Sequence, residues 1–174
     1  MFDFFKRDKK PNADAGRLLA AILVVYPSVQ SVTYDSKNDM LELTFALSGN
    51  FSQDDFEKFL SNVAESVETF HHIEGLGGAK IELDVEGVFG TCFLNVRREM
   101  STFTYRELSL LTELAENYFG ENLIEETDSE VLDEEYIMAQ EDYLEQCLSN
   151  IRQLRIEGRL VGVREHERVV IYAG

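Results

Sequence analysis

Hydrophobic residues recur with a helical period in several parts of this chain. Four segments show the pattern: residues 14–26, 53–72, 105–119 and 134–157. In the first, nearly every position from Leu18 to Tyr26 is apolar, which predicts a helix that is buried on most sides. In the second, Phe59, Val63 and Val67 fall on one face, as in an amphipathic helix with one buried side. The chain is therefore expected to contain four helices.

Between these helices the period changes to two, which is the pattern of β-strands. Leu41, Leu43 and Phe45 alternate with Glu42 and Thr44. One apolar and one polar face are typical of an antiparallel sheet that is covered on one side. Three segments each contain two such runs around a turn and are expected to form hairpins: residues 32–47, 81–96 and 160–172.

Polar residues at the predicted boundaries support these assignments. Ser52 followed by Asp55, and Thr104 followed by Glu107, have the spacing of a capping box at a helix N-terminus. Glu86–Gly87 is expected to form the tight turn of the second hairpin.

Together the patterns predict an α+β fold. We expect an antiparallel sheet of about six strands, built from three hairpins, with four helices packed mainly on one face. Residues 13–174 are expected to form a single domain after an N-terminal tail, residues 1–12. Within the domain, residues 121–133 are an acidic connection and residues 134–174 a C-terminal helix and hairpin.

The tail itself combines aromatic and basic residues. Phe2, Phe4 and Phe5 are followed by four Lys/Arg residues before residue 11. Two interpretations stay open: an ordered cap on the core, or a small anchor for a membrane surface or a partner.

Charge is distributed very unevenly along the chain. Residues 107–151 contain fourteen of the 33 Asp/Glu residues and no Lys, Arg or His, in a protein of net charge −17. Such a protein repels nucleic acid phosphates and anionic membranes, and it attracts basic proteins. The densest acidic residues are therefore the candidate partner-binding site: Glu125, Glu126, Asp128, Glu130, Asp133, Glu134 and Glu135.

Five arginines lie within seventeen positions near the C-terminus. They are Arg152, Arg155, Arg159, Arg164 and Arg168. One interpretation is charge balancing inside the domain, since Arg152 and Arg155 are placed to favour the negative end of the fourth helix. The other is self-association, in which the positive hairpin meets the acidic block of a second copy and forms a homodimer.

Known catalytic and metal-binding patterns are missing from the sequence. A calcium loop counted from Glu126 places Val131 and Ile137 where Gly and Glu are required. His71 and His72 diverge by about 100° on a helix, so a zinc site that joins them to Cys92 is not expected. Cys92 and Cys147 lie in apolar patterns, as buried free cysteines do. We therefore predict no catalytic residues, no metal and no cofactor.

The sequence thus favours a non-enzymatic acidic protein-binding module, such as an adaptor, an inhibitor or a chaperone-like factor, that docks a basic partner. One alternative is a nucleic-acid-mimicking inhibitor that uses the carboxylates of the fourth helix. Another is a small-molecule-binding domain or enzyme with a pocket between the sheet and the last helices, with Arg97 and Arg98 as anion contacts. The longest apolar run has nine residues, too few to span a membrane, and a cytoplasmic location is expected.

Overall fold

The structure is a computed structural model that describes residues 13–78, 80–88, 90–125, 133–149, 157–165 and 168–173. The helices are α1 Ala13–Val25, α2 Gln53–Ile73, α3 Tyr105–Phe119 and α4 Glu134–Ser149. The strands are β1 Ser31–Asp35, β2 Met40–Ser48, β3 Ile81–Val88, β4 Thr91–Glu99, β5 Arg159–Glu165 and β6 Arg168–Ala173. The predicted N-terminal tail and residues 126–132 of the acidic connection lie outside the described residues.

The six strands form one antiparallel sheet in the order β3-β4-β2-β1-β5-β6. In each predicted hairpin the two strands pair with each other. The hairpins are joined by the pairing of β4 with β2 and of β1 with β5. The predicted α+β fold, with three hairpins and four helices, is confirmed.

The helices cover one face of the sheet, and alternation along each strand places its apolar residues there. On β2, Leu41, Leu43 and Phe45 are fully buried, whereas Glu42 and Thr44 are only partly buried. The same alternation continues on β5, where Leu160 is buried beside α1. We call the other face of the sheet, which no described helix covers, the open face.

Helix α1 packs tightly against β5 because Gly162 has no side chain. A Cβ at this position would lie 2.9 Å from Ile171 Cδ1 and 3.3 Å from Leu23 Cδ1. The helix is buried on nearly all sides, as predicted, since α4 packs on its outer surface. There the Arg17 guanidinium lies over the Tyr143 ring, 4.1 Å from its centre.

An aromatic cluster joins the start of α2 to the end of α3. Phe119 is buried at its centre, with ring centres of Phe59 at 4.8 Å and Phe51 at 5.3 Å. The helical spacing of α3 indicates an inner position for Tyr118, but the helix turns Phe119 inward and leaves Tyr118 38% exposed.

The cap at α2 is a complete capping box, as predicted. Asp55 N–H donates to Ser52 Oγ at 3.1 Å, and Ser52 N–H donates to Asp55 Oδ2 at 2.9 Å. These bonds, led by the one from the Ser52 backbone, lower the pKa of Asp55. At α3 the Glu107 N–H donates to Thr104 Oγ1 at 3.2 Å, but the Glu107 carboxylate points into the core instead of closing a box.

The second hairpin turns later than the sequence indicated. Glu86 and Gly87 lie in β3, paired with Phe93 and Cys92, so the predicted turn at these two residues is wrong. Gly90, with φ 81°, lies between the ends of the strands and adopts a left-handed conformation that suits glycine.

Candidate functional site

Three ionisable side chains meet in the protein interior. Arg98 on β4, Glu107 on α3 and His71 on α2 are each no more than 2% exposed. Arg98 Nε donates to Glu107 Oε2, and its Nη2 donates to Oε1 at 3.0 Å. His71 Nε2 lies 2.5 Å from Glu107 Oε1. We call these three residues the buried ionic cluster.

Hydrogen bonds satisfy the polar atoms of this cluster. His71 Nδ1 lies 2.8 Å from the Gly77 carbonyl oxygen, which can only accept. Glu107 accepts two bonds from Arg98. The Glu107 carboxylate is thus shared by the Arg98 guanidinium and the His71 ring.

The buried ionic cluster also holds the middle and the far end of the loop between α2 and β3. His71 bonds Gly77 in the middle of the loop, and Leu76 N–H donates to the His71 carbonyl at 2.8 Å. At the other end, Arg98 Nη1 donates to the Lys80 carbonyl at 3.4 Å. The cluster thus links two helices, a strand and a loop.

This arrangement is suited to stabilising the fold and not to acid–base catalysis. A general acid or base must reach the proton that it transfers, directly or through one water. Both His71 ring nitrogens are occupied, and all three side chains are shielded from solvent. Arg98, a predicted anion contact, is thereby committed to Glu107.

A second buried arginine binds backbone carbonyl groups at the C-terminal end of α1. Arg164 is 5% exposed, and its Nη2 donates to the carbonyls of Leu23 and Val29, the latter at 3.2 Å. A cation at a helix C-terminus is stabilised by the carbonyl dipoles there. This member of the predicted self-association set is therefore used inside the fold.

The other predicted self-association residues divide into two groups. Arg159 on β5 and Arg168 on β6 are exposed and point to the open face. Arg152 and Arg155 lie outside the described residues.

The predicted partner-binding residues are partly visible. Glu125, Asp133, Glu134 and Glu135 are exposed. Glu126, Asp128 and Glu130 lie outside the described residues. Glu107 belonged to the same acidic run, yet it is buried and neutralised by Arg98, so not all of that run is surface charge.

Helix α4 carries further acids around an exposed methionine. Met138 is 62% exposed. Its neighbours one turn away, at i−4, i−3, i+3 and i+4, are Glu134, Glu135, Glu141 and Asp142. None of these four acids takes part in an ion pair among the described residues. We call these five residues the acidic patch of α4.

The inner side of α4 contains a tyrosine and a cysteine whose pKa values are raised. Burial is the main cause that raises the pKa of the Tyr143 hydroxyl and of the Cys147 thiol. A thiol with a raised pKa is a poor nucleophile, so Cys147 has the character of a structural residue.

The open face holds a network of charges that neutralise one another. Arg97 Nε lies 2.9 Å from Glu42 Oε2, and its Nη2 lies 3.4 Å from Asp84 Oδ2. Arg97 and Glu42 border a shallow groove of about 500 Å³, together with Asp35 and Arg159. Arg97, the second predicted anion contact, is thus already paired with acids.

A smaller groove of about 220 Å³ lies where the end of α2, the start of α3 and the end of α4 meet. Phe70, Tyr105 and Leu148 form its apolar part, and Arg106 forms an ion pair with Glu74 at 2.9 Å on its rim. It lies on the helix side, and its single cation is paired with an acid. A neighbouring groove of about 380 Å³ is bordered by His71, His72, Leu76 and Gly78.

The histidines, cysteines and acids do not gather into a metal site in the described part of the chain. Within it, no group of three or more His, Cys, Asp or Glu side chains is placed to hold a metal ion. His71 is buried, whereas His72 is exposed. No helix among the same residues has the length and apolar character needed to cross a membrane.

Comparison of the chain with known protein families, with curated proteins and with solved structures found no match.

Proposed function

We propose that this protein is a non-enzymatic protein-binding module that docks a basic partner through the acidic patch of α4. The observation that carries the proposal is Met138, an exposed apolar side chain with acids at all four neighbouring helical positions. A methionine adapts its shape to different apolar surfaces, and the carboxylates around it attract cations. The matching partner is a Lys/Arg-rich segment that also presents an apolar side chain.

The charge balance of α4 supports this proposal. Residues 133–149 contain six acids and no Lys or Arg, so the helix has no neutralising charge of its own. Elsewhere on the helix layer, Asp54 pairs with Lys58 at 3.1 Å, whereas the exposed Glu57 and Glu65 form no ion pair among the described residues, as on α4. Uncompensated charge destabilises a free surface slightly, and a basic partner relieves that repulsion.

The chemistry of the interior supports a binding role over an enzymatic one. The hydrogen bonds of the buried ionic cluster are satisfied within the fold. His71 borders a groove of about 380 Å³ with His72 and Gly78, but both of its ring nitrogens are already engaged, whereas a general acid or base must be able to reach the proton that it transfers.

The test is affinity purification from the source organism with two baits. One is the wild-type chain, and the other carries Glu134→Gln, Glu135→Gln, Glu141→Gln and Asp142→Asn. A basic protein held by the wild type at low salt, released at about 0.5 M salt and lost with the variant is the expected result, because exposed charge pairs are screened by salt.

A matched control separates the patch from the overall charge. Glu57→Gln, Glu65→Gln, Glu68→Gln and Glu113→Gln remove the same four charges from exposed positions on α2 and α3. This control is expected to retain the partner. Equal loss from both quadruple variants would show that only net charge matters and would refute docking at α4.

A third bait, Met138→Ser, leaves the charge unchanged. We expect it to weaken binding several-fold, since it removes the apolar contact. Competition by a polynucleotide for the same partner would instead favour the nucleic-acid-mimic alternative.

A further inference from the structure

Strand β6 is one of the two edge strands of the sheet, and it pairs only with β5 among the described strands. Arg164 N–H donates to the Gln30 carbonyl at 3.2 Å, so the backbone of Arg164 on β5 faces β1 and not β6. Backbone groups of successive residues in a strand point to opposite sides. The preceding residue, Val163, therefore exchanges its backbone hydrogen bonds with its partner Val170 on β6.

The alternate residues of β6 point their backbone groups away from the sheet. Because Val170 bonds inward to β5, the N–H and C=O groups of its neighbours Val169 and Ile171 point outward. Those of Ala173 do the same, two positions further along. Among the described residues, neither the strand pairing nor the backbone bonds outside the sheet give these groups a partner. Such a row of groups is a template for a further strand.

The usual features that protect an edge strand are weak on β6. Natural edge strands avoid pairing with another chain by means of charged side chains, proline or a bulge. The other edge strand, β3, has charged residues at three alternate positions: Glu82, Asp84 and Glu86. On β6, the four residues between Arg168 and Ala173 are all apolar or aromatic, and the strand pairs with β5 without a bulge. The edge at β6 is therefore open to a further strand.

From these features we infer that β6 pairs with β6 of a second copy, antiparallel and about a two-fold axis at Ile171. Two sheets of six strands then join into one continuous sheet. Ile171 faces Ile171 of the second copy, and Val169 and Ala173 face each other on both sides of the axis. These three pairs exchange about six backbone hydrogen bonds. The edge contains no residue of the acidic patch of α4, so the inference is independent of the proposed docking there.

The apolar residues of the open face select this register. Four partly buried or exposed side chains form a square at the edge, because two pairs lie side by side: Val161 with Tyr172, and Val163 with Val170. With the axis at Ile171, Val170 of one copy faces Tyr172 of the other. The two squares then join into two unbroken rows of apolar side chains. Pairs of an aromatic and a β-branched residue are among the favourable cross-strand pairs.

The nearest other register that keeps the two faces of the sheet has its axis at Val170. Val170 would then face itself, and Tyr172 would face Arg168, so a charged residue would enter each apolar row. With the axis at Ile171, Arg168 lies beyond the last apolar pair and keeps the interaction that it has within its own chain. The self-complementary apolar pattern therefore favours the axis at Ile171.

Helix α1 leaves room for the second copy. It lies over β5, where a Cβ added to Gly162 would be 3.3 Å from Leu23 Cδ1 and 3.4 Å from Leu19 Cβ. Since strands are about 4.8 Å apart, the α1 helices of the two copies would be about 14 Å apart, which exceeds the 8–10 Å of packed helices. At the edge itself, Tyr172 is 45% exposed and Ala173 is exposed.

Sedimentation of the purified full chain tests the inference. One short strand on each side forms an interface below the roughly 1,200 Å² of stable complexes, so a dissociation constant on the order of 10–100 µM is expected. Wild type is therefore expected to show a monomer–dimer equilibrium between about 1 and 500 µM. A strictly monomeric wild type over this range would overturn the inference.

Two double variants test the register. Val170→Lys with Tyr172→Lys places like charges opposite each other across the axis and is expected to weaken dimerisation about tenfold or more. Val170→Lys with Tyr172→Glu places opposite charges there and is expected to dimerise within about threefold of wild type. Equal weakening by the two double variants, or no weakening by either, would refute pairing about Ile171.

A matched control separates edge pairing from contact through the open face. Ser31→Lys with Thr33→Lys adds the same two charges to that face, but on the central strand β1. This control is expected to dimerise as wild type does. A loss equal to that of Val170→Lys with Tyr172→Lys would show that the faces pack together instead, and it would overturn the inference.

Hydrogen exchange of wild type gives a readout that needs no variant. The outward amides of Val169, Ile171 and Ala173 are expected to become protected as the concentration rises from about 1 to 500 µM, whereas those of Val170 and Tyr172 are protected throughout. Outward amides whose exchange is independent of concentration would overturn the inference; protection already present in the monomer would assign the edge to another segment of the chain. Circular dichroism checks that each variant is folded, and hydrogen exchange decides the question if one is not.

Discussion

The His71 imidazole lies 2.5 Å from the Glu107 carboxylate, although 36 positions separate the two residues in the chain. This contact joins α2 to α3, and Arg98 on the other side of the carboxylate joins both helices to β4. Removing one member of a buried charge group leaves the others without compensation. The cluster is therefore expected to dominate the stability of this end of the protein.

The variant Glu107→Gln tests that expectation. Glutamine keeps the shape but leaves the buried Arg98 guanidinium without its counter-charge, so the free energy of unfolding is expected to fall by about 3–5 kcal/mol. The measurement is urea unfolding followed by circular dichroism. Glu113→Gln is the matched control on the same helix, and its exposed side chain predicts a change within about 0.5 kcal/mol. Equal stability of the two variants would contradict a structural role for the cluster.

The adjacent histidines offer a second comparison. His71→Leu removes the bond to the Gly77 carbonyl, whereas His72→Leu changes an exposed side chain. We expect faster hydrogen exchange in residues 74–78 of His71→Leu and no change in His72→Leu, because only the first variant loses the anchor of the loop. The measurement is hydrogen exchange with mass spectrometry, normalised to the global stability of each variant. Unchanged exchange after that normalisation would mean that the loop is held by its backbone bonds alone.

Arg164 is expected to stabilise the end of α1 against the sheet. Arg164→Met keeps the apolar stem but leaves the Leu23 and Val29 carbonyls without this donor, whereas the Tyr26 carbonyl keeps its bond from the Val29 N–H at 3.0 Å. Each buried acceptor left unsatisfied costs about 1–3 kcal/mol, so a loss of roughly 3 kcal/mol or more in the free energy of unfolding, measured by urea unfolding, is expected.

Arg106→Met serves as the control for Arg164→Met. Arg106 is largely exposed and pairs with Glu74, and an exposed pair contributes about 0–1 kcal/mol. A loss below about 1 kcal/mol for Arg164→Met would show that water replaces the guanidinium at these carbonyls.

The elements of the fold were predictable because they depend on local periodicity. The alternation of Leu41, Leu43 and Phe45 and the helical spacing of Phe59, Val63 and Val67 each place apolar residues on one side, whatever the rest of the chain does. Strand order was not predictable in the same way, because the pairing of β1 with β5 joins residues that are far apart in the sequence.

The buried charges were missed because their partners lie on different elements. A signal was present for His71, which continues the four-residue spacing of Phe59, Val63 and Val67 on the buried face of α2. Glu107 had two possible roles, as a cap residue and as an interior residue, and only tertiary packing with Arg98 selects the second. Arg164 was predicted only as one of five arginines for charge balancing or self-association, but it lies in β5 and its side chain turns towards α1.

Alkaline pH is expected to destabilise the protein through its buried tyrosines. Burial is the main cause that raises the pKa of Tyr34 to about 12, and it also raises the pKa of Tyr26 and Tyr143. In the unfolded chain these hydroxyls ionise near their ordinary pKa of 10.0. The stabilisation is therefore complete below about pH 10 and is lost as the pH rises from there through the pKa values of the folded state.

Absorbance of phenolate at about 295 nm, recorded with circular dichroism, measures this effect. We expect three of the seven tyrosines to ionise only at about pH 12 or above, together with unfolding. Tyr34→Phe removes one of these groups and its bond to Asp39, so stability between about pH 10 and 12 should depend less steeply on pH. Tyr172→Phe changes an exposed side chain and should leave that slope unaltered. Complete ionisation of all seven tyrosines in a protein that stays folded would contradict the burial of these hydroxyls.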